Sequence, residues 1–515
     1  MSSPVTYIPA LCDGACGTTP RSQMPMMAML RREMAQMMQM MPALCWAMLT
    51  RPQQMSWADM GDMMMHTMLA CMEMCMMAAA LPLCMMLPGA MFMTWMTVCA
   101  MMVMAMCWML NGREQMHQCS SGAEGWMMDH DASNDEKWMF IGGMGMSSRH
   151  THTTTLPLLS RLFSRPMTCI CHPTLGLPFD MLAMMLQRCL PLPSLARRNL
   201  YAQMRVALLD DATTRCVVLA MNSGAVLAAQ AVAALCADLP ADKLRKLEVY
   251  TFGSAACEFV LPVGEANLEC ESGSHESMMA ERKGVHVEHF AMASDPFAQM
   301  GVLKSVRRDM EGRYCGGVFV MNGSNMMMGG QGMMGMMMDS CGLMMEDYMM
   351  AMFPGQMGGM MMAGGNNKNT MMMPTTTSML DCVMHVDRDC AEKREIAAMA
   401  CYHHAASHAG MMMGGSGMGM AMRGKSGKRM SWTGLPMSNG AMEQKNGMSA
   451  GQMGLEMARK GCQGCKGHMG REVSWLARYV SGMMMMMGEG GKIGMEGKMG
   501  MGMEGGKKEG MKAGN

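Results

Sequence analysis

The stretch that decides the fold covers residues 215–226 and reads Arg-Cys-Val-Val-Leu-Ala-Met-Asn-Ser-Gly-Ala-Val. Its apolar run, 216–221, is typical of a strand buried on both faces of a sheet. The small residues Ser223 and Gly224 follow, and the apolar pattern then continues at helical spacing over 225–239. The stretch therefore predicts a strand, a sharp turn at Asn222 and a helix, which together form one unit of a parallel α/β sheet.

Similar units recur on both sides of this stretch. Short apolar runs at 138–141, 167–171, 217–221, 247–252, 285–291 and 317–321 alternate with helical patterns at 179–190, 200–209, 225–239 and 344–353. Such alternation is typical of a mostly parallel sheet with helices on both faces. We therefore predict an α/β domain over 138–354, which is long enough to bury a substantial core.

The turn after the 217–221 strand is the first candidate site. A strand–turn–helix with small residues is the context of the G-x-S-x-G nucleophile elbow, in which the turn presents a serine above the sheet. Ala220 and Gly224 occupy the two small positions, so the nucleophile position falls on Asn222. An amide cannot form an acyl-enzyme. Ser223 follows directly and is the fallback nucleophile, although we expect it to be a structural turn or cap residue.

Six phrases of the α/β domain together resemble one family. They occur in the same order as in that family. They read Trp138-Met-Phe-Ile-Gly-Gly, Arg165-Pro-Met-Thr, Val217-Val-Leu-Ala-Met-Asn-Ser-Gly-Ala, Lys246-Leu-Glu-Val-Tyr-Thr-Phe-Gly-Ser-Ala-Ala, Val287-Glu-His-Phe-Ala-Met-Ala-Ser-Asp and Gly317-Val-Phe-Val. In them the chain resembles uncharacterised fungal α/β-hydrolase-like proteins, distant relatives of serine lipases and esterases. The resemblance covers 138–354 and implies an α/β-hydrolase fold with, in intact members, a Ser–Asp–His centre.

Carried over by residue, the resemblance implies a degenerate centre. It places the nucleophile at Asn222, the acid at Asp295 and the histidine at Leu343 in the pair Gly342-Leu343. No histidine occurs between His289 and His385, so the order Ser…Asp…His cannot be completed in the domain. Asp295 also precedes a proline, which predicts the N-cap of a helix, and the two roles are compatible.

A glycine turn follows the first strand of the domain. Gly142-Gly-Met-Gly145 is a candidate oxyanion-type loop, with Gly142, Gly143 and Gly145 as its glycines. The alternative is a tight turn that the fold alone requires. A phosphate-binding loop is not indicated, because no Lys-Ser/Thr pair follows the glycines.

An apolar stretch before the domain predicts a membrane segment. Residues 89–110 carry no charge, have Trp95 and Trp108 toward their ends, and are long enough to span a bilayer. The preceding stretch, 63–87, is also apolar but contains Glu73, which is costly inside a membrane. It is the first arm of a hairpin or an interfacial helix. The alternative is a buried helical hairpin that packs on the soluble domain.

The remaining regions have low or mixed complexity. Residues 1–62 are expected to be disordered or amphipathic, 111–137 a linker, and 355–515 a disordered Gly/Met/Lys-rich tail with a short helix at 471–480. Methionine occurs 95 times and is interpreted as a substitute for Leu, Ile or Val wherever the spacing is regular. The 23 cysteines are interpreted as reduced thiols.

The tail offers one weak metal motif. Cys462, Cys465 and His468 have partial zinc-ligand spacing but no matching fourth ligand nearby. We therefore predict no metal and no cofactor. The formal net charge is zero, so no basic field favours nucleic-acid binding.

These observations predict a membrane-associated, catalytically inactive α/β-hydrolase homologue with a binding or scaffolding role. Its protein partner and its compartment stay open. One alternative is an active lipase or esterase that uses Ser223 or a nucleophile outside the elbow. A second alternative is a metal-handling protein that acts through the Met/Cys/His-rich tail.

Overall fold

The computed structural model describes residues 5–10, 25–49, 57–112, 116–119, 135–190, 192–261, 284–309, 313–321, 343–354, 385–387, 390, 393 and 474–480. Most of the 355–515 tail lies outside these ranges. The weak zinc candidates Cys462, Cys465 and His468 do too.

The described residues form one mixed, mostly parallel sheet. Its strands are β1 (Val5–Ile8), β2 (Met116–Cys119), β3 (Glu136–Ile141), β4 (Met167–Ile170), β5 (Arg215–Met221), β6 (Leu247–Phe252), β7 (His286–Met292), β8 (Gly317–Met321) and β9 (His385–Val386). Their order is β2-β4-β3-β5-β6-β7-β8-β1-β9. In this order the six consecutive strands β4, β3, β5, β6, β7 and β8 run parallel to one another. Strand β2 pairs antiparallel with β4, and β1 pairs antiparallel with β8. The predicted α/β class is confirmed.

Helices account for most of the remaining described residues. They are α1 (Met26–Leu49), α2 (Trp57–Met86), α3 (Gly89–Asn111), α4 (Leu156–Phe163), α5 (Leu177–Cys189), α6 (Leu195–Leu209), α7 (Gly224–Asp238), α8 (Pro296–Met300) and α9 (Met345–Met352). Short helical turns at Ser148–His150 and Thr151–Thr155 lead directly into α4. Further turns are Ala241–Leu244, Val302–Lys304, Ser305–Asp309 and Trp475–Tyr479.

The core has two apolar layers, one on each face of the sheet. Because side chains alternate along a strand, Val218 and Ala220 face the layer that contains α5, α6 and α7. Val217 and Leu219 face the opposite layer, which contains α4 and α9. Regularly spaced methionines such as Met184 and Met204 in α5 and α6 are buried in the core. The helices therefore cover both faces, as predicted.

The chain reverses direction across the sheet between β3 and β5. From β3 it leads to β4 on one side, and from β4 it returns to β5 on the other side of β3. The segment after β3 runs into α4 on one face, and the turn after β5 opens α7 on the opposite face. Such a switch point leaves a crevice at the carboxyl ends of the strands, which is where open α/β sheets bind their ligands.

The sheet extends beyond the boundaries 138–354 expected from sequence. Strand β1 comes from 1–62, β2 from 111–137 and β9 from 355–515, and each pairs at or near a sheet edge. The first of these regions also contains α1. Short edge strands gain their stability from pairing, so local hydrophobic periodicity does not predict them.

Two helices before the domain form an apolar hairpin, which we call the α2–α3 hairpin. Met64–Met86 and Gly89–Asn111 are each long and apolar enough to cross a membrane, judged by length and composition. In the most apolar 18-residue window, 11% of the α2 residues and 6% of the α3 residues are buried. The hairpin is therefore exposed, which argues against the alternative of a buried hairpin in a soluble core.

Candidate functional site

The turn after β5 has a strained backbone at the predicted apex. Asn222 has φ 47°, and among the described residues only Ser164 is another non-glycine with positive φ. Its N–H donates to the carbonyl of Phe252 at 3.0 Å, and its carbonyl accepts from Ala225 and Ala255, each at 3.2 Å. A non-glycine in this region costs about 1–3 kcal/mol and persists only where the surroundings impose it. Here neighbouring strands impose it.

Glycines bring two turns of the switch point into contact. A Cβ on Gly143 would lie 2.6 Å from the Asn222 Cβ and 2.7 Å from the Met221 carbonyl oxygen. A Cβ on Gly224 would lie 2.5 Å from the Gly142 carbonyl oxygen. These glycines are therefore required by close backbone approach, which favours the tight-turn interpretation of the 142–145 loop.

The structure brings together the three positions that the resemblance assigns to one centre. The Asn222 Nδ2 donates to the backbone carbonyl of Leu343 at 3.0 Å. The Asn222 Oδ1 and the Asp295 Oδ2 both lie against Gly253, at 2.8 Å and 2.1 Å from the position that a Cβ would take there. The side chains of Asn222 and Asp295 and the backbone carbonyl of Leu343 thus lie close together at the carboxyl ends of β5, β6 and β7.

Asp295 is the N-cap of α8, as predicted, and is completely buried. Its Oδ1 accepts from the Phe297 N–H at 2.8 Å, and its Oδ2 accepts from the Tyr348 hydroxyl at 2.6 Å. Burial raises the pKa of the Asp295 carboxyl to about 8, although these two hydrogen bonds oppose the shift. The carboxyl is therefore mostly protonated at neutral pH.

Ser223 lies in the turn but makes no cap. It occupies the N-cap position of α7 with helical dihedrals, and its side chain accepts no capping hydrogen bond. A capping hydroxyl requires an extended backbone at this position. Its Oγ is buried without a hydrogen-bond partner among the described residues. The fallback nucleophile therefore has no base beside it there.

No imidazole accompanies these three positions in the described ranges. His289 is on the adjacent strand β7, but its Nδ1 pairs with the Thr251 hydroxyl at 2.6 Å and its Nε2 with the Cys315 carbonyl at 2.9 Å. It is fully buried and is therefore committed to core hydrogen bonds. An amide, a mostly protonated carboxyl and a backbone carbonyl do not activate a nucleophile.

A second polar cluster, which sequence reasoning missed, lies at the carboxyl ends of β3 and β4. A shallow cleft, open to solvent, is lined by Gly142, Gly143, Ser148, Thr151, Cys171 and His172 among others. The Ser148 Oγ lies 3.1 Å from the His117 Nε2 and 3.5 Å from the Cys171 Sγ. His117 belongs to the region expected to be a linker, so only the pairing of β2 with β4 reveals this contact.

Metal binding finds no support in the part of the chain that the structure describes. No group of three or more His, Cys, Asp or Glu side chains there is arranged to hold a metal ion. Comparison with known proteins adds no assignment: no family model matches the sequence, and no curated protein does. A functional proposal for this chain therefore depends on the geometry of the turn after β5 and the turn after β3.

Proposed function

We propose that this chain is a membrane-associated, α/β-hydrolase-like protein that has lost acyl chemistry at its elbow and acts by binding. The observation that carries the proposal is the position of Asn222. It lies at the apex of a strand–turn–helix with positive φ, where the resemblance to lipases and esterases places the nucleophile.

The hydrolase-like relationship is supported by convergence in space. Asn222, Asp295 and Leu343 are far apart in sequence, yet they meet at one end of the sheet. The resemblance alone assigned them to one centre. A chance resemblance would not be expected to select three positions that lie together.

The binding role is supported by what replaces the catalytic groups. The Asn222 amide is held by the Leu343 carbonyl, and the Asp295 carboxyl caps α8 and accepts from Tyr348. These contacts stabilise a closed arrangement rather than orient a base. The neighbouring turn at Gly142 and Gly143 lines a shallow cleft that is open to solvent, at the kind of switch point where open α/β sheets bind ligands.

Membrane association is supported by the α2–α3 hairpin. No Asp, Glu, Lys or Arg occurs between Glu73 and Arg113. The 23 residues of α3 extend about 34 Å at 1.5 Å per residue, against a hydrocarbon core of about 30 Å. The hydroxyls of Thr94 and Thr97 donate to the carbonyls of Ala90 and Met93, so neither needs a water partner.

The base of the hairpin, where α2 begins and α3 ends, is hydrogen-bonded to the domain close to the second polar cluster around Ser148. The Asn111 side chain exchanges two hydrogen bonds with the Thr174 backbone, both at 2.7 Å. The Ser147 hydroxyl donates to the Asp62 carboxylate of α2 at 2.5 Å. The hairpin base therefore lies beside the cleft, and a membrane that holds the hairpin is expected to lie near the cleft.

Two measurements on the full chain test the proposal. Alkaline carbonate extraction of membranes should leave the protein in the pellet, and its release would count against hairpin insertion. A fluorophosphonate probe followed by peptide mapping should leave Ser223 unmodified. Covalent modification of Ser223 would show that the elbow is active, and would favour the alternative of a lipase or esterase.

A further inference from the structure

The second polar cluster contains a contact between a serine and an imidazole, and its serine, Ser148, lines the cleft. The Ser148 Oγ lies 3.1 Å from the His117 Nε2. Ser148 begins the helical stretch after β3, and His117 is in the edge strand β2. A hydroxyl within hydrogen-bonding reach of an imidazole is the arrangement that makes serine nucleophilic. The contact is tertiary, since 31 residues separate the two side chains.

We infer that Ser148 is an acyl acceptor, with His117 as its general base, and that its substrate is a small activated ester. This goes beyond the proposed binding function, because it assigns covalent chemistry to a turn other than the elbow. The two do not exclude each other. Asn222 is inert in both, and the cleft is reached from a different loop of the same switch point.

The position of Ser148 is fixed from two directions. Its neighbour Ser147 is the N-cap, with a side chain that accepts from the His150 N–H at 2.9 Å and donates to Asp62. On the other side, the Cys171 Sγ lies 3.5 Å from the Ser148 Oγ. The hydroxyl thus lies between a thiol and an imidazole, and it donates to the His117 Nε2 in the tautomer that leaves this nitrogen unprotonated.

The shape of the cleft limits the substrate. Its enclosed part has a volume of about 10 Å³, which is about the space that one water molecule needs. The cleft therefore has no enclosed space for a long fatty acyl chain, and a small ester reaches Ser148 from the open side.

The proposed step is a simple acyl transfer. The Ser148 Oγ attacks the carbonyl carbon of the ester, and the hydroxyl proton moves to the His117 Nε2. The tetrahedral intermediate then collapses, the bond between the carbonyl carbon and the leaving oxygen breaks, and that oxygen takes the proton from His117. The products are an ester on Ser148 and one equivalent of free alcohol or phenol.

p-Nitrophenyl acetate and the purified full chain in detergent test the step. We expect a burst of about one equivalent of nitrophenol per chain, and peptide mapping should place one acetyl group on Ser148. The variant S148A should lose the burst. H117Q should slow it by about 10²-fold or more, the usual contribution of general-base catalysis, and should flatten its pH profile.

Matched variants separate reactivity from folding. T153A removes an exposed hydroxyl from the same helical stretch and should keep the full burst. S148C keeps a nucleophile and should accept the acetyl group as a thioester, while C171S should retain acylation of Ser148. The inference is overturned if S148A keeps the burst, if the acetyl group maps to Cys171 or a lysine, or if folded wild-type protein shows no burst.

Failure here is distinguishable from failure of the proposed function. Loss of Ser148 acylation leaves membrane extraction and the unreactive Ser223 unchanged. Conversely, acetylation of Ser223 would overturn the inert elbow and leave a result at Ser148 standing. Mapping of the modified peptide in a single experiment therefore reports on both.

Discussion

The side-chain amide of Asn222 donates a hydrogen bond to the backbone carbonyl of Leu343, with 3.0 Å between Nδ2 and O. The two residues are 121 positions apart, and the bond connects the turn after β5 to the residue before α9. Under the proposed hydrolase-like relationship, an active member would have a serine and a histidine at these two positions. Here a neutral amide and a carbonyl connect the two segments, and their contact is structural.

Introducing a serine at the apex should not create an active elbow. The variant N222S supplies a hydroxyl but no base, because position 343 is a leucine. We expect no fluorophosphonate labelling at position 222. Loss of the hydrogen bond to Leu343 should lower the free energy of unfolding by about 1 kcal/mol, measured by urea denaturation. Labelling at position 222 would show that another residue serves as its base.

Asp295 should make the domain less stable as the pH rises. Its pKa is about 8 in the folded protein, raised mainly by burial from 3.8. Between these two pKa values the folded state binds more protons than the unfolded state. The stability of the folded protein is therefore highest, as far as Asp295 is concerned, below about pH 4, and it falls as the pH rises to about 8. The slope approaches about 1.4 kcal/mol per pH unit within this window.

The variant D295N tests that assignment. An asparagine is neutral at every pH and still accepts a hydrogen bond from the Phe297 N–H, so its unfolding free energy should lose this part of the pH dependence. Urea denaturation at pH 5, 6, 7 and 8 measures both proteins. Parallel curves for wild type and D295N would mean that Asp295 is ionised in the folded protein.

Two adjacent glycines should differ sharply in their tolerance of alanine. In G143A the new methyl group would lie 2.6 Å from the Asn222 Cβ and 2.7 Å from a backbone oxygen. Such overpacking costs about 1–3 kcal/mol. In G142A its nearest neighbour is the flexible Met146 Sδ at 3.6 Å, an ordinary contact. Thermal unfolding should show a lower Tm for G143A alone; equal Tm values would refute the close approach of the two turns.

A charge in the hairpin should weaken membrane binding, whereas the same charge on the domain should not. Met101 in α3 and Val206 in α6 are similarly exposed, at 69% and 67%. A lysine at the centre of a membrane helix costs about 2.5–3.5 kcal/mol. In liposome flotation M101K should float less than wild type, and V206K should float equally. Equal flotation of M101K and wild type would place the hairpin outside the bilayer.

Much of the fold could be predicted from periodicity. The strand–turn–helix at 215–226, the parallel strands around it and the apolar helices before it all follow from local patterns of side chains. These patterns work because a strand buried on both faces and a long apolar helix each require apolar residues at nearly every position. The short strands β1, β2 and β9, at or next to the edges of the sheet, carry no such pattern, and the sequence did not predict them.

The chain's residues by themselves determined that an amide, Asn222, stands in the turn after β5 and that no histidine lies between His289 and His385. They also determined the apolar hairpin and the cap at Asp295. Only the tertiary structure decided that Asn222, Asp295 and Leu343 meet, and that His117 reaches Ser148. Local sequence determines which backbone conformations are favourable. Contacts between distant segments depend on strand order and packing, which are determined by the interactions of the whole chain.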